Sequence, residues 1–176
     1  ERQYWPLRAG MRRDLHVRKL SVSTLDRNTR MWSKLDNDPA YAKLAQDTWA
    51  ERFTGPPPPF IDTPEKLQKV INEQIAKTAK AVATLKARGV EVVFLRAPSN
   101  GGYYAFEQKV FPRATTWDAL LQRTGAPGIH FEDHPELQGY ILPEWSHLSA
   151  SEADRFTAAL APLVEQEFNV MNNTGN

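Results

Sequence analysis

The sequence predicts an α/β fold in which helices cover a parallel sheet, and three observations support this prediction. A long amphipathic segment runs from Pro64 towards Gly89. The apolar run VEVVFLRAP follows this glycine directly, and helical and strand-like segments alternate beyond it. A crossover helix that leads straight into a buried strand is typical of parallel sheets. We therefore expect the strand at 90–96 to be central, parallel and buried on both faces.

The first third of the chain is expected to hold a strand and a helix. KLSVSTL, at 19–25, alternates apolar with small polar residues, as a strand does. Asp38 is placed to cap a helix that starts at Pro39 and extends to about residue 53. The four prolines of TGPPPPF fix the backbone and remove amide donors, so a loop is expected at 55–59.

The long central helix has clear sequence signals at both ends. Thr63 is placed as its N-cap, Pro64 as its first residue and Gly89 as its terminator. Further on, Thr116 is placed to cap a short helix that stops at Gly125.

The last third of the chain is expected to contain one more strand and a final helix. GIHFED predicts a strand at 128–132. Ser149 and Glu152 match a capping box for the final helix, in which Pro162 is expected to cause a kink.

Composition sets limits on the classes of protein that fit. With 176 residues, of which 41% are apolar, the chain suits one globular domain, expected at 21–168 between a basic arm at 1–20 and a disordered tail at 169–176. The absence of cysteine excludes disulfides, thiolate metal sites and cysteine nucleophiles. No apolar run reaches the roughly 20 residues needed to span a bilayer.

Charge bears on the class of partner. The formal net charge is only +1, which argues against specific binding of nucleic acid, but the arm at 1–20 is locally rich in arginine. This arm could contact an anionic surface or dock onto a protein assembly.

Two loops are expected to face each other beyond the carboxyl ends of the strands, where parallel sheets bind ligands. The first, after the strand at 90–96, contains Ser99, Asn100 and Gly101; the second contains Glu144, Trp145 and His147. If the loops meet, His147 could act as a base oriented by Glu144, with Ser99 as nucleophile and Asn100 and Gly101 as oxyanion donors. Trp145 could stack on a sugar.

Each of these residues also has a purely structural interpretation. Ser99 and Asn100 belong to a Ser-Asn-Gly-Gly sequence that suits a simple turn. His147 could be a partly buried residue that forms a hydrogen bond near the start of a helix. His130, Asp133 and His134 suggest a metal site, but strand alternation directs His130 away from the loop. We therefore expect neither metal nor cofactor.

The sequences VEVVFLRAPSNGGYY and PEWSHLSASEADRFTAAL resemble the later part of SGNH hydrolases, the GDSL-type esterases and carbohydrate O-acyl transferases. The resemblance covers about residues 64–168. It implies a flavodoxin-like, three-layer sandwich, in which His147 matches the catalytic histidine of the D-x-x-H motif and Glu144 takes the place of the aspartate. It also implies an acylated carbohydrate or small ester as substrate, and a location in the bacterial cell envelope or periplasm.

The chain departs from this family at the nucleophile. The family places its serine in a G-D-S block after the first strand and an asparagine in a G-x-N-D motif, and neither occurs in these 176 residues. Two explanations remain open. Either the front of the domain is missing and the whole is an esterase or acyl transferase, or the protein is a non-catalytic interaction or assembly subunit with the same fold. In both cases we expect little or no esterase activity from this chain alone.

Overall fold

The computed structural model describes residues 19–174, so the basic arm lies outside the described residues except for Lys19 and Leu20. Contacts divide the chain into two compact units. The first contains the residues through Gly55, Pro98–Phe106 and Gly139–Thr157; the second contains Pro56–Ala97, Glu107–Gln138 and the residues from Ala158 onwards. Each unit is built from several separate stretches of the chain.

The helices and strands of residues 19–174 follow in the order β1 (Ser21–Ser23), β2 (Thr29–Met31), α1 (Lys34–Asn37), α2 (Pro39–Thr54), α3 (Pro64–Lys86), β3 (Phe94–Arg96), α4 (Gly101–Val110), α5 (Trp117–Thr124), β4 (Gly128–His130) and α6 (Ala150–Thr174). Strands β1 and β2 form an antiparallel pair, and β3 and β4 form a parallel pair. The chain is therefore a mixed α/β protein that is 60% helical.

The first unit packs around the start of α2. Leu35, Tyr41 and Ala45 are buried, and Leu20, Met31 and Trp32 pack against them. The Tyr41 hydroxyl donates to the Lys19 carbonyl at 3.0 Å, which holds the chain next to β1 on this helix. The strand predicted at 19–25 is thus present but limited to β1.

Helix α2 begins as its sequence predicts. The Asp38 carboxylate accepts hydrogen bonds from the backbone N–H groups of Ala40 and Tyr41, at 3.0 and 3.1 Å, and Pro39 is the first helical residue. These bonds satisfy amides that have no partner within the helix. The proline-rich stretch at 55–59 lacks helix and strand, as expected.

Helix α3 also matches its prediction at both ends. The Thr63 hydroxyl accepts from the Lys66 N–H at 3.3 Å, and Pro64 is the first residue. Gly89, just beyond the helix, has a φ of +75°, a backbone conformation that glycine adopts with little cost. Among the helices of residues 19–174, none combines the length and apolar character that crossing a bilayer requires.

The prediction for the strand at 90–96 is partly wrong. Pairing with β4 is parallel, as expected, but only β3 forms a strand, and within residues 19–174 its sheet has just two strands. Leu95 is 44% exposed, so this strand is neither central nor buried on both faces. Phe94 and Arg96 point to the opposite face, which is partly covered. The apolar run therefore reflects one covered face, not two.

Two further boundaries differ from the predictions. The strand expected at 128–132 ends at His130, because Phe131–Asp133 turns into a single 3₁₀ turn. Helix α5 has the expected bounds, but the Thr116 hydroxyl donates to the carbonyls of Phe111 and Pro112 and forms no side-chain cap.

Helix α6 uses half of the predicted capping box. The Ser149 hydroxyl accepts from the Glu152 N–H at 3.4 Å. The Glu152 carboxylate, however, accepts from the N–H of Ile141 at 3.1 Å and thereby ties the preceding loop to the helix. The helix continues through Pro162 to Thr174, so residues 169–174 of the expected disordered tail are helical.

Candidate active site

The two loops that carry the candidate residues meet within the first unit. The N–H of Asn100 donates to the carbonyl of Trp145 at 2.9 Å. Trp145 closes a turn by donating its own N–H to the Leu142 carbonyl at 3.1 Å. Pro143 occupies the second position of this turn, for which its fixed φ is well suited. The predicted encounter of the loops is therefore present.

Trp145 lies directly on the two glycines that begin α4. A Cβ atom on Gly101 would be 2.5 Å from the indole Nε1, and one on Gly102 would be 2.9 Å from Cζ3. Trp145 itself has a φ of +78°, which is unusual for a bulky residue. The close approach of these loops thus requires glycine at both positions, and it holds Trp145 in a strained backbone conformation.

Glu144 is the fully buried carboxylate of the site, with 0% exposure. Its Oε2 accepts from the indole N–H of Trp49 at 2.6 Å. Its Oε1 accepts from the Ser146 N–H at 3.2 Å, and the Ser146 hydroxyl donates to both oxygens. These donors, together with His147, replace the water that an exposed carboxylate would bind.

His147 completes the pair from the solvent side. Its Nδ1 lies 2.9 Å from Glu144 Oε1, and its side chain is 64% exposed. The hydroxyl oxygen of Ser146 is also 2.9 Å from Nδ1. A carboxylate can only accept here, so the proton of the neutral imidazole is assigned to Nδ1. The basic nitrogen is then Nε2.

The two residues shift each other's pKa in opposite directions. Burial alone would raise the pKa of Glu144, but the hydrogen bonds from His147, Trp49 and Ser146 outweigh it and lower that pKa. The hydrogen bond to Glu144 raises the pKa of His147, although partial burial opposes this effect. The carboxylate therefore stays ionised, and the imidazole is a stronger base than free histidine.

This pair should give the stability of the protein a characteristic pH dependence. The pKa of His147 is raised from 6.5, so its contribution is complete below pH 6.5 and is lost as the pH rises through the folded-state value. The pKa of Glu144 is lowered from 4.5, so its contribution is complete above pH 4.5 and is lost as the pH falls through the folded-state value. The pair should therefore stabilise the fold most between pH 4.5 and 6.5.

Urea unfolding across and beyond this range, for the unmodified chain and for His147→Asn, would measure the effect. The difference between the two in free energy of unfolding should be largest within the window and should shrink on both sides. If the two curves ran parallel at every pH, His147 would not be coupled to Glu144 in solution.

Ser99 and Asn100 occupy the other loop. Ser99 is buried, with 7% exposure, which is an unfavourable position for a nucleophile that must meet a substrate. The Asn100 side-chain oxygen is buried and lacks a hydrogen-bond partner within residues 19–174. Its carbonyl accepts from the N–H of Tyr104 at the start of α4. Gly101 lies beneath the Trp145 ring, as described above.

Three residues of this site were not predicted from the sequence: Trp49, Gln46 and Ser146. Trp49 lies on the apolar stripe of α2, where it reads as an ordinary core residue. Gln46, one turn earlier on α2, donates to the Pro143 carbonyl at 2.8 Å, so this face of the helix supports the whole turn. Ser146 lies between two predicted site residues and carries no signal of its own. The only available hint is that a buried indole N–H usually finds an acceptor.

His130 and Asp133 of the second unit are held by other contacts. His130 is buried and accepts from the N–H of Glu132 through Nδ1 at 3.3 Å. Asp133 forms two 2.7 Å hydrogen bonds with Arg113. Within the described part of the chain, no group of three or more His, Asp or Glu side chains is placed to hold a metal ion.

Comparison with known proteins gives no match for this chain, whether it is made against protein-family models, curated proteins or solved structures. The geometry of Glu144 and His147 therefore has to carry the functional argument.

Proposed function

We propose that Glu144 and His147 form the general-base dyad of an esterase or O-acyl transferase of the SGNH type. The observation that carries the proposal is a fully buried carboxylate bonded at 2.9 Å to the Nδ1 of an exposed histidine. This arrangement fixes the tautomer, leaves Nε2 as the base and raises its affinity for a proton. The exposed ring leaves Nε2 accessible to a substrate.

The chemistry that the dyad supports is acyl transfer. Nε2 removes a proton from a hydroxyl group or water as its oxygen attacks the acyl carbonyl carbon. A tetrahedral intermediate forms, and its collapse breaks the bond to the leaving oxygen, which takes the proton back from Nε2. Glu144 remains ionised throughout and stabilises the imidazolium that exists between the two transfers.

The proposal extends to the family's three-layer sandwich and to an acylated carbohydrate or small ester as substrate. Trp145 is half-buried over the glycine pair, and we assign it to contact with a sugar ring. The proposed oxyanion donors are the N–H of Gly101, at the start of α4 where a helix N-terminus favours developing negative charge, and the side-chain amide of Asn100, whose backbone N–H is donated to the Trp145 carbonyl.

The alternative is a non-catalytic interaction or assembly subunit of the same fold. Two observations favour it: the sequence contains no G-D-S block, and Ser99 is only 7% exposed. In this case the hydrogen bonds of Glu144 would serve only to fix the turn at 142–147.

Hydrolysis of p-nitrophenyl acetate distinguishes these functions. We expect slow hydrolysis by the chain, with a rate that rises with pH through the raised pKa of His147 as Nε2 loses its proton. His147→Ala should lower the rate by about 100-fold or more, the usual contribution of a general base. His134→Ala, which alters another histidine that lies near a glutamate, is the matched control and should have no effect.

Ser99→Ala identifies the nucleophile. A loss equal to that of His147→Ala assigns attack to Ser99, whereas an unchanged rate assigns it to water activated by His147. A rate that His147→Ala leaves unaltered contradicts the dyad. Inactivity of the unmodified chain towards this ester and towards acetylated sugars would favour the non-catalytic subunit.

A further inference from the structure

A cavity of about 540 Å³ within the second unit belongs to no function considered so far. Its volume lies in the range of pockets that bind small molecules, about 300–1,000 Å³. Every residue that lines it belongs to the second unit, whereas the Glu144–His147 dyad belongs to the first. Binding of a ligand in this cavity therefore does not depend on the proposed ester chemistry.

One wall of the cavity is the apolar stripe of α3. Leu67, Val70, Ile71 and Ile75 all line it, and each is only half-buried. Leu120 of α5 lines it as well. These branched aliphatic side chains remain partly accessible. An apolar ligand that covers them would remove apolar surface from water, which would stabilise the complex.

Charged groups at the cavity are already compensated within the protein. The guanidinium of Arg96 lies 2.6 Å from the Glu107 carboxylate. Arg113 forms two hydrogen bonds of 2.7 Å with Asp133 and lies 3.3 Å from Asp118. A ligand carboxylate would enter beside these acidic groups and would lose water without gaining an unmatched cation.

His130 supplies a neutral donor at the same cavity. It is 4% exposed, and both burial and the nearby Arg113 lower its pKa, so the ring is uncharged at neutral pH. Its Nδ1 accepts from the N–H of Glu132, which assigns the proton to Nε2. The ring is held edge-on to Trp117, at 5.2 Å between centroids, so its orientation is fixed.

We propose that this cavity binds a small uncharged molecule with an aliphatic body and one hydrogen-bond acceptor, such as a ketone, ester or alcohol. The aliphatic part lies along α3 and α5, and the acceptor receives the Nε2 proton of His130. An apolar lining with a few fixed polar groups is the usual composition of such a site.

Nile red, an uncharged dye with a carbonyl group, is a suitable probe for the full chain. We expect saturable binding of the dye and its displacement by decan-2-one. Decanoate should compete with an affinity that is lower by about tenfold or more, because only this competitor carries a charge. Ile75→Trp, which fills the cavity, should weaken dye binding to a similar extent. Asn72→Trp, on an exposed position of the same helix, is the matched control and should leave it unchanged.

His130→Phe tests the donor. The substitution keeps an aromatic ring in place. It should weaken the binding of decan-2-one by about threefold to tenfold, which is the usual contribution of one hydrogen bond. Thermal unfolding of this variant must show that the fold persists. If the fold is lost, the test is instead to measure how the unmodified chain binds ketones and alkanes of matched length. Equal affinities for a ketone and its matched alkane would contradict the role of His130.

Three results would overturn the proposal. Decanoate that binds as well as decan-2-one would contradict an uncharged ligand. Dye binding that Ile75→Trp leaves intact would place the probe elsewhere. The unmodified chain could fail to bind dye and form a dimer that Ile75→Trp dissociates. This result would assign the cavity to contact with a second copy of the chain.

Discussion

Replacing Glu144 with alanine is expected to lower the free energy of unfolding by about 2–4 kcal/mol, because a buried hydrogen-bond acceptor is removed and a cavity is left. The carboxylate is 0% exposed and accepts hydrogen bonds from Trp49, Ser146 and His147. The substitution would leave the indole N–H without its acceptor and would create a cavity. Urea unfolding at pH 6 gives the measurement.

Glu136→Ala is the matched control for this prediction. Glu136 also lies near a histidine, at 3.9 Å from His134, but its side chain is 48% exposed. Its removal should change the free energy of unfolding by no more than about 0.5 kcal/mol. Similar losses in the two variants would mean that burial of Glu144 is not what makes it important.

Gly101→Ala is expected to destabilise the first unit by about 2–4 kcal/mol, through overpacking and a strained backbone together. The added methyl group would be 2.5 Å from the indole of Trp145, at a φ of +52°. The ring would have to move, and the hydrogen bond from the Asn100 N–H to the Trp145 carbonyl would be disturbed with it. Chemical unfolding and near-ultraviolet circular dichroism would detect both effects.

Gly139→Ala separates backbone strain from collision. Gly139 has a φ of +75°, no atom lies within 4 Å of a Cβ placed there, and it belongs to the same unit. We expect a loss of only about 1–2 kcal/mol in free energy of unfolding.

Combining Gly101→Ala with Trp145→Ala should lower the free energy of unfolding by less than the sum of the single changes, because removal of the indole removes the collision. Full additivity would contradict this account of the contact.

The helix boundaries were the most predictable part of the fold. Asp38 with Pro39, Thr63 with Pro64, and Gly125 each mark a helix end through local chemistry that acts within one turn of the chain. Such signals depend little on the rest of the molecule, and all three helices have the expected bounds to within two residues.

The strands were less predictable because their extent depends on a partner. VEVVFLRAP contains enough branched and aromatic residues for a longer strand, but only β3 pairs with β4. Burial is likewise set by what packs on each face. The sequence around Leu95 is compatible with either a covered or an exposed side chain. Its 44% exposure depends on which parts of the protein pack against that face of β3.

At the candidate site, local spacing was informative and distant contacts were not. Glu144 and His147 are three residues apart, so their encounter follows from a tight turn that Pro143 favours. Trp49 lies 95 residues from Glu144 along the chain, and no local rule connects them. Its spacing places Trp49 on the partly buried face of α2 but does not indicate which acceptor its N–H would find.

The burial of Glu144 also affects the electrostatic free energy of protonating His147. With a neutral imidazole, the pair carries a full negative charge on a carboxylate that water does not reach. When Nε2 accepts a proton, the pair becomes neutral overall, and in surroundings of low polarity a neutral pair is favoured over a lone charge. Proton uptake at Nε2 thus offsets part of the cost of burying the charge of the carboxylate.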